Sequence, residues 1–270
     1  MNERNVAIVT GASSGIGMET AYALARRSYL VALAARRADR LEQVADECRR
    51  LGGEATVVPT DVSKREQVEA LAASTFERFG RLDVMVNNAG YGIFARVDET
   101  TDEQMRTIFD VNFHGLFYGC KAVAPYMMRQ RRGHIFNVSS VIGKRGTPMH
   151  GAYCATKFAI VGLTDSFRME MLPYGVRVTC VCPGLTETEF FDRSDRGGRS
   201  RPSALNYGAK MPASVVGEKI ASVVGKNRPE LIFGAGGKLL VKIAALSPRL
   251  ADAMMGHYYR RLNRRLETPK

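Results

Sequence analysis

Val6-Ala7-Ile8-Val9-Thr10-Gly11-Ala12-Ser13-Ser14-Gly15-Ile16-Gly17 is the stretch on which the fold turns. Four consecutive apolar residues, Val6 to Val9, read as a strand buried on both faces. Glycines at 11, 15 and 17 then mark a turn opening a helix over Gly17–Arg27. Where a turn between strand and helix approaches a pyrophosphate, a Cβ obstructs it, and the helix N-terminus offers free N–H groups to the anion. Glycine alone marks many tight turns. Its place directly between strand and helix is what points to a dinucleotide.

The same rhythm continues downstream. Strands are expected at Leu30–Ala34, Thr56–Pro59, Val84–Asn87, His134–Ser139, Val176–Val181 and Leu231–Phe233. Between them lie helical stretches at Arg37–Leu51, Lys64–Phe79, Asp102–Gln130, Ala152–Leu172 and Val215–Val224. This alternation predicts an α/β fold, a single-domain, Rossmann-type, doubly wound parallel sheet with helices on both faces, over residues 1–237. Residues 192–203, charged and rich in Gly and Ser, read as a mobile loop within a substrate loop at about 188–212. Residues 238–270 form a basic helical tail, interrupted at Pro248, packed on the domain or extending from it. In the tail Leu250, Met254, Tyr258 and Leu262 share a helical face, but Arg261 and Arg265 point into it. Those arginines weaken a peripheral-membrane reading of the tail.

Composition narrows the function classes. The chain has 270 residues, with 39 Lys+Arg against 27 Asp+Glu, a net charge of +12. Residues 1–185 carry +4 of that and residues 186–270 carry +8. A basic third suits an anionic lipid, a phosphorylated cofactor or an acidic acyl carrier, but the plainer reading is a solvated surface, since charge runs are usually solvated. Nucleic acid has only net charge in its favour. No run approaches the roughly 18 apolar residues of a membrane helix, and the N-terminus lacks the layout of a signal peptide. The five cysteines (48, 120, 154, 180, 182) form no CxxC pair and suggest reduced thiols in the cytoplasm. Cys180 and Cys182 share a strand face without the spacing of a metal clip, and four scattered histidines suggest no zinc, so no metal is expected.

Two further segments carry chemistry. After the second strand, where an acid would hold an NAD ribose, stand Arg36 and Arg37, and the first acid is Asp39. A guanidinium pair suits a 2′-phosphate, so NADP(H) is preferred over NAD(H). Tyr153 and Lys157 lie four apart on a helix and share a face. A nearby ammonium lowers the phenol from its ordinary value of about 10, allowing proton exchange with a substrate oxygen. Asn137-Val138-Ser139-Ser140 ends a strand, where open sheets place their sites, and a serine there donates to the same oxygen.

Together these residues resemble the short-chain dehydrogenase/reductase family. The matching pieces, from Thr10 to Thr188, are Thr10-Gly-x-x-x-Gly-x-Gly17, Asp61-Val62, Asn87-Asn88-Ala89-Gly90, Val111-Asn112, Ser140 thirteen positions before Tyr153, Tyr153-x-x-x-Lys157, and Pro183-Gly184-Leu185-Thr186-Glu187-Thr188. The resemblance implies Tyr153 as acid/base, Ser140 as the hydroxyl polarising the substrate oxygen, and Lys157 as the residue that lowers the tyrosine pKa and binds the nicotinamide ribose. It implies that Asn112 holds a water on a proton path. Cofactor contacts are implied for Gly11, Ser13, Ser14, Gly15, Ile16 and Gly17 of the turn, for Arg36 and Arg37, and for Asp61 and Val62 at the adenine. Asn88 falls to the adjoining ribose and Thr188 to the nicotinamide side, with Ala89, Gly90, Pro183, Gly184 and Thr186 as further cofactor contacts. Some NADP-preferring members carry a basic residue where this chain has Ser14, so the preference here rests on Arg36 and Arg37.

The implied reaction interconverts a carbonyl and a secondary alcohol by hydride transfer, with reduction the favoured direction. His150, Phe190 and Phe191 are candidate substrate contacts, and as loop or core residues they have plain structural readings too. Apolar residues there favour a medium-sized hydrophobic ketone. A 3-oxoacyl-carrier-protein reductase is the alternative enzyme, and a non-catalytic cofactor sensor or scaffold the alternative of another class. The family also implies a homodimer or homotetramer.

Overall fold

Continuous apolar runs become the parallel strands that such runs favour, because only a sheet covered on both faces hides them from water. The strands are β1 (Val6–Thr10), β2 (Leu30–Ala35), β3 (Glu54–Pro59), β4 (Val84–Asn87), β5 (Gly133–Val138) and β6 (Val176–Cys182). A short pair, β7 (Thr186–Glu187) with β8 (Met211–Pro212), precedes the last strand, β9 (Glu230–Ile232). The sheet runs β3-β2-β1-β4-β5-β6-β9, parallel throughout. This computed structural model describes residues 4–190, 194–195 and 210–267, the side chains of 263 and 265–267 excepted.

Helices cover both faces. On one side α1 (Gly15–Ala25) and α2 (Ala38–Arg50) pack Leu24, Leu41 and Val44 onto Val9, Val31 and Leu33. On the other α3 (Arg65–Phe79) brings Leu71 against Ile8. The expected long helix over 102–130 forms as α4 (Asp102–Phe109), a π-helical turn at Asp110–His114, and α5 (Gly115–Gln130). Thr101 and Gln104 close a capping box at its start, which fixes where α4 begins. Val123 and Met127 of α5, and Ile160 of α6 (Gly151–Met171), complete the second core, and α7 (Ala213–Val223) completes the first with Val216 and Ile220.

The tail makes α8 (Ala235–Leu246) and α9 (Pro248–Glu267), so its helical part begins before 238. Helix α9 is docked: Ala251 and Leu262 are buried, Leu262 packs with Phe94 and Met149, and Asp252 pairs with Arg145. Leu239, Leu246, Leu250 and Met254 stay exposed. Among the described residues no helix is long and apolar enough to cross a membrane.

Sheet order reverses between β1 and β4. Crossovers depart to opposite sides there, leaving a crevice beyond the carboxyl ends of those strands.

Candidate active site

The glycine turn occupies that crevice. Gly11 and Gly15 adopt φ of +65° and +56°, the left-handed region that glycine enters without penalty. A Cβ on Gly15 would lie 2.8 Å from Thr188 Cγ2. Gly17 serves close packing instead, since a Cβ there would lie 2.4 Å from the Gly11 carbonyl oxygen and 2.6 Å from Asn88 Nδ2. Ser14 is the N-cap of α1 without a side-chain cap hydrogen bond, so its hydroxyl leaves the first-turn amides unsatisfied. A cleft of about 840 Å³ lies over this turn, walled by Gly11, Ser13 to Ile16, Arg36, Arg37, Asp61, Val62, Asn88 to Gly90 and Thr188.

The structure divides the arginine pair. Arg37, the N-cap of α2, turns back and donates from Nη2 to Ser13 Oγ (2.9 Å) and Ser14 Oγ (3.2 Å), and pairs with Glu189 at 3.4 Å. Arg36 is exposed in the cleft and makes no hydrogen bond or ion pair among the described residues. The guanidinium of Arg37 therefore sits on the position in the turn, Ser14, where the sequence lacks a base.

Asp61 and Val62 reach the cleft beyond β3. The Asp61 carboxylate accepts from the backbone and hydroxyl of Ser63 at 3.0 and 2.8 Å. Asn88 braces the turn: its amide donates to the Thr10 and Gly11 carbonyls at 3.0 and 3.4 Å.

A second cavity, also about 840 Å³, shares Ile16, Asn88, Gly90, Thr188 and Phe190 with the first. Ser140, His150, Tyr153, Lys157, Pro183, Gly184 and Thr186 line it. Ser140 ends up here because β5 stops at Val138, and its hydroxyl faces the Pro183 carbonyl at 3.4 Å. Tyr153 and Lys157 come from the first two turns of α6, with Lys157 Nζ 5.5 Å from the centre of the tyrosine ring.

The electrostatics differ from the simple expectation. Burial pushes the Tyr153 phenol up from its ordinary value, while a hydrogen bond with Ser140 pulls it the other way. Burial lowers Lys157 to about 8. The ammonium donates from Nζ to the Val138 carbonyl at 2.8 Å. Desolvation is the largest influence on both groups and moves each toward its neutral form.

Asn112 sits in the π-helical turn, 1% exposed. Its Oδ1 accepts from the Tyr91 amide and its Nδ2 donates to the Tyr91 carbonyl, each at 2.9 Å, with Thr156 Oγ1 at 3.3 Å from Nδ2. This side chain braces the loop after β4 against α6, which places Gly90 beside Lys157. A Cβ on Gly90 would lie 3.0 Å from Asn112 Oδ1 and 3.8 Å from Lys157 Nζ.

Of the substrate candidates, Phe190 lies with its ring 5.2 Å from that of Tyr153. His150 is in the wall, its Nδ1 3.1 Å from the Pro148 carbonyl, and burial lowers its pKa. Phe191, most of the 192–203 segment and the side chain of Arg265 lie outside the described residues. The two ends of the 188–212 region are joined by the β7–β8 pair.

A family model for short chain dehydrogenases matches residues 5–197. The chain belongs to that family. It is an oxidoreductase, and its relatives agree. The uncharacterized oxidoreductase YxnA of Bacillus subtilis is 35% identical over 254 residues, 93% of this chain and 71% of that one. An alcohol dehydrogenase from the archaeon Thermococcus sibiricus, solved with 5-hydroxy-NADP, is 33% identical with a TM-score of 0.76, covering 86% of this chain and 96% of that one. A short-chain dehydrogenase/reductase from Burkholderia phymatum, solved with NAD, is 29% identical with a TM-score of 0.81, covering 93% and 96%.

Two features of this dehydrogenase escaped sequence reading. The pocket is also walled by Leu240, Met255, Tyr258, Arg261 and Leu262 of the tail, whose return to the site leaves no local signal. Cys180 and Cys182 do cluster with a possible metal ligand, because β9 lies beside β6 and brings Glu230 within 4.8 Å of both thiols. Lys144 Nζ already holds that carboxylate at 2.6 Å, and the thiols lie 3.7 Å apart, in hydrogen-bond contact.

Proposed function

We propose that this chain reduces the carbonyl of a medium-sized hydrophobic substrate with NADP(H), using Tyr153 as the acid. One observation carries the reading: Tyr153, Ser140 and Lys157 converge on a pocket continuous with the cleft over the glycine turn. The cleft fits a dinucleotide, since its turn excludes Cβ atoms and presents uncapped amides at a helix N-terminus. Arg36, free in the cleft, would take the 2′-phosphate, with Arg37 held behind it by Ser13 and Ser14. When bound, the nicotinamide supplies hydride to the carbonyl carbon.

The chain's own residues handle the oxygen. Ser140 donates to it, and Tyr153 delivers the proton. A phenol raised by burial stays protonated at neutral pH, which suits an acid in the reductive direction. Lys157, close under the ring, stabilises the phenolate left behind. Asn112 holds the loop that keeps Gly90 against Lys157, leaving room for a ribose there. Phe190 covers Tyr153 from the apolar side and keeps water from it.

Exposed apolar residues on α5 and α6, Phe117, Phe158 and Met169, support pairing of two copies through these helices. All five cysteines are buried free thiols, which supports a reducing, cytoplasmic setting. The test is nicotinamide absorbance over a carbonyl panel with NADPH and NADH side by side. NADPH-dependent turnover is expected, and Tyr153→Phe is expected to lower it by about 10²–10⁴-fold with cofactor binding kept. Undiminished turnover in that variant would remove Tyr153 from the mechanism.

A further inference from the structure

The tail places a cation at the mouth of the substrate pocket. Tyr258, Arg261 and Leu262 follow at i, i+3 and i+4 on α9, so they share one face. That face is the docked one, for Leu262 is 4% exposed and packs on Phe94 and Met149. The arginine that disrupts the apolar stripe in the sequence is itself exposed, and it borders the pocket that Tyr153 and Ser140 also line. It makes no hydrogen bond or ion pair among the described residues, and no Asp or Glu is among the described residues lining the cavity.

The rest of the setting is selective. Lys157, the other cation in this wall, is 3% exposed and bound to the Val138 carbonyl. The lining also carries apolar side chains, including Leu185, Leu240 and Met255. A cavity that joins apolar side chains, a proton donor and a guanidinium without an ion-pair partner among the described residues matches one kind of molecule. Arginine presents a planar fork of donors that a carboxylate accepts two at a time.

We propose that Arg261 binds a carboxylate at the end of the substrate remote from the carbonyl, so that the preferred substrates are hydrophobic oxo acids. This rests on the carbonyl-reductase reading above and adds the substrate class to it.

The test compares methyl-ketone carboxylic acids of increasing chain length with their own methyl esters, at saturating NADPH. Within each protein the readout is the acid-to-ester ratio of kcat/KM, which is independent of how much of a variant is folded. In the wild type the ratio is expected to exceed about tenfold at the chain length that spans the pocket, as a charge-assisted hydrogen bond provides. Arg261→Gln is expected to bring it to near unity, and Arg261→Lys to keep part of it. Turnover of acids and esters with equal efficiency at every length would overturn the assignment while leaving the reductase reading in place. A preference that survives in Arg261→Gln would do the same. Turnover of neither series would overturn both.

Discussion

Replacing Lys157 by Met, similar in length and without charge, is expected to change how stability depends on pH. In the wild type the ammonium is buried and donates to the Val138 carbonyl at 2.8 Å, and its pKa falls from 10.5 to about 8. That gap amounts to a penalty of about 3 kcal/mol on the charged form in the folded chain. The sign follows from proton binding. Between about pH 8 and 10.5 the unfolded chain holds a proton that the folded chain has released, so wild-type stability rises through this window. The full penalty is present below it. Lys157→Met lacks the titrating group, but it strands the Val138 carbonyl at a pH-independent cost of about 1–3 kcal/mol. Near pH 7 the two terms roughly cancel, while at the top of the window only the stranded carbonyl remains. The stability difference between the two proteins is therefore expected to move by about 3 kcal/mol against the variant across the window. Urea denaturation of the cofactor-free proteins, at fixed ionic strength and several pH values, measures it directly. Other lysines, tyrosines and thiols titrate in both proteins and drop out of the difference. Parallel stability profiles would refute the claim that burial holds this lysine near neutrality.

Two further substitutions test other parts of the structure. Asp83 is a buried carboxylate that accepts from the Val6 amide at 2.9 Å and from Nε and Nη2 of Arg81 at 2.8 Å each. Asp83→Ala leaves these donors without it, with an expected loss of about 3–5 kcal/mol in urea denaturation; a loss below about 1 kcal/mol, the scale of an exposed pair, would show that the network is effectively solvated. Arg36→Ala is expected to raise the KM for NADPH by about tenfold or more while sparing that for NADH. An equal effect on both cofactors would place Arg36 away from the 2′-phosphate.

Much of the candidate site's geometry was legible because the residues that shape it lie close together in the chain. Glycines at 11, 15 and 17 are forced by backbone angles and close approach within one turn. Tyr153 and Lys157 share a face because α6 is a regular helix. Asn112 was only half legible: its residue type and position could be read, but a uniform helix over 102–130 was expected. The π-helical turn that carries it is a local widening of the helix with no residue pattern of its own, held by Tyr91, which lies outside the helix.

The sequence by itself determined the element order, the parallel sheet and the identity of the turn, since these follow from hydrophobic periodicity and from residues adjacent in the chain. Only the tertiary structure decided the rest. It separated Arg36 from Arg37, because the second is drawn back to Ser13 and Ser14, more than twenty positions earlier. It set Glu230 beside Cys180 and Cys182 by aligning β9 with β6. It also turned Arg261 from a flaw in an amphipathic stripe into part of the pocket wall. Each of these depends on contacts between segments far apart in the chain, and a one-dimensional pattern records which residues are present but not which distant surfaces they meet.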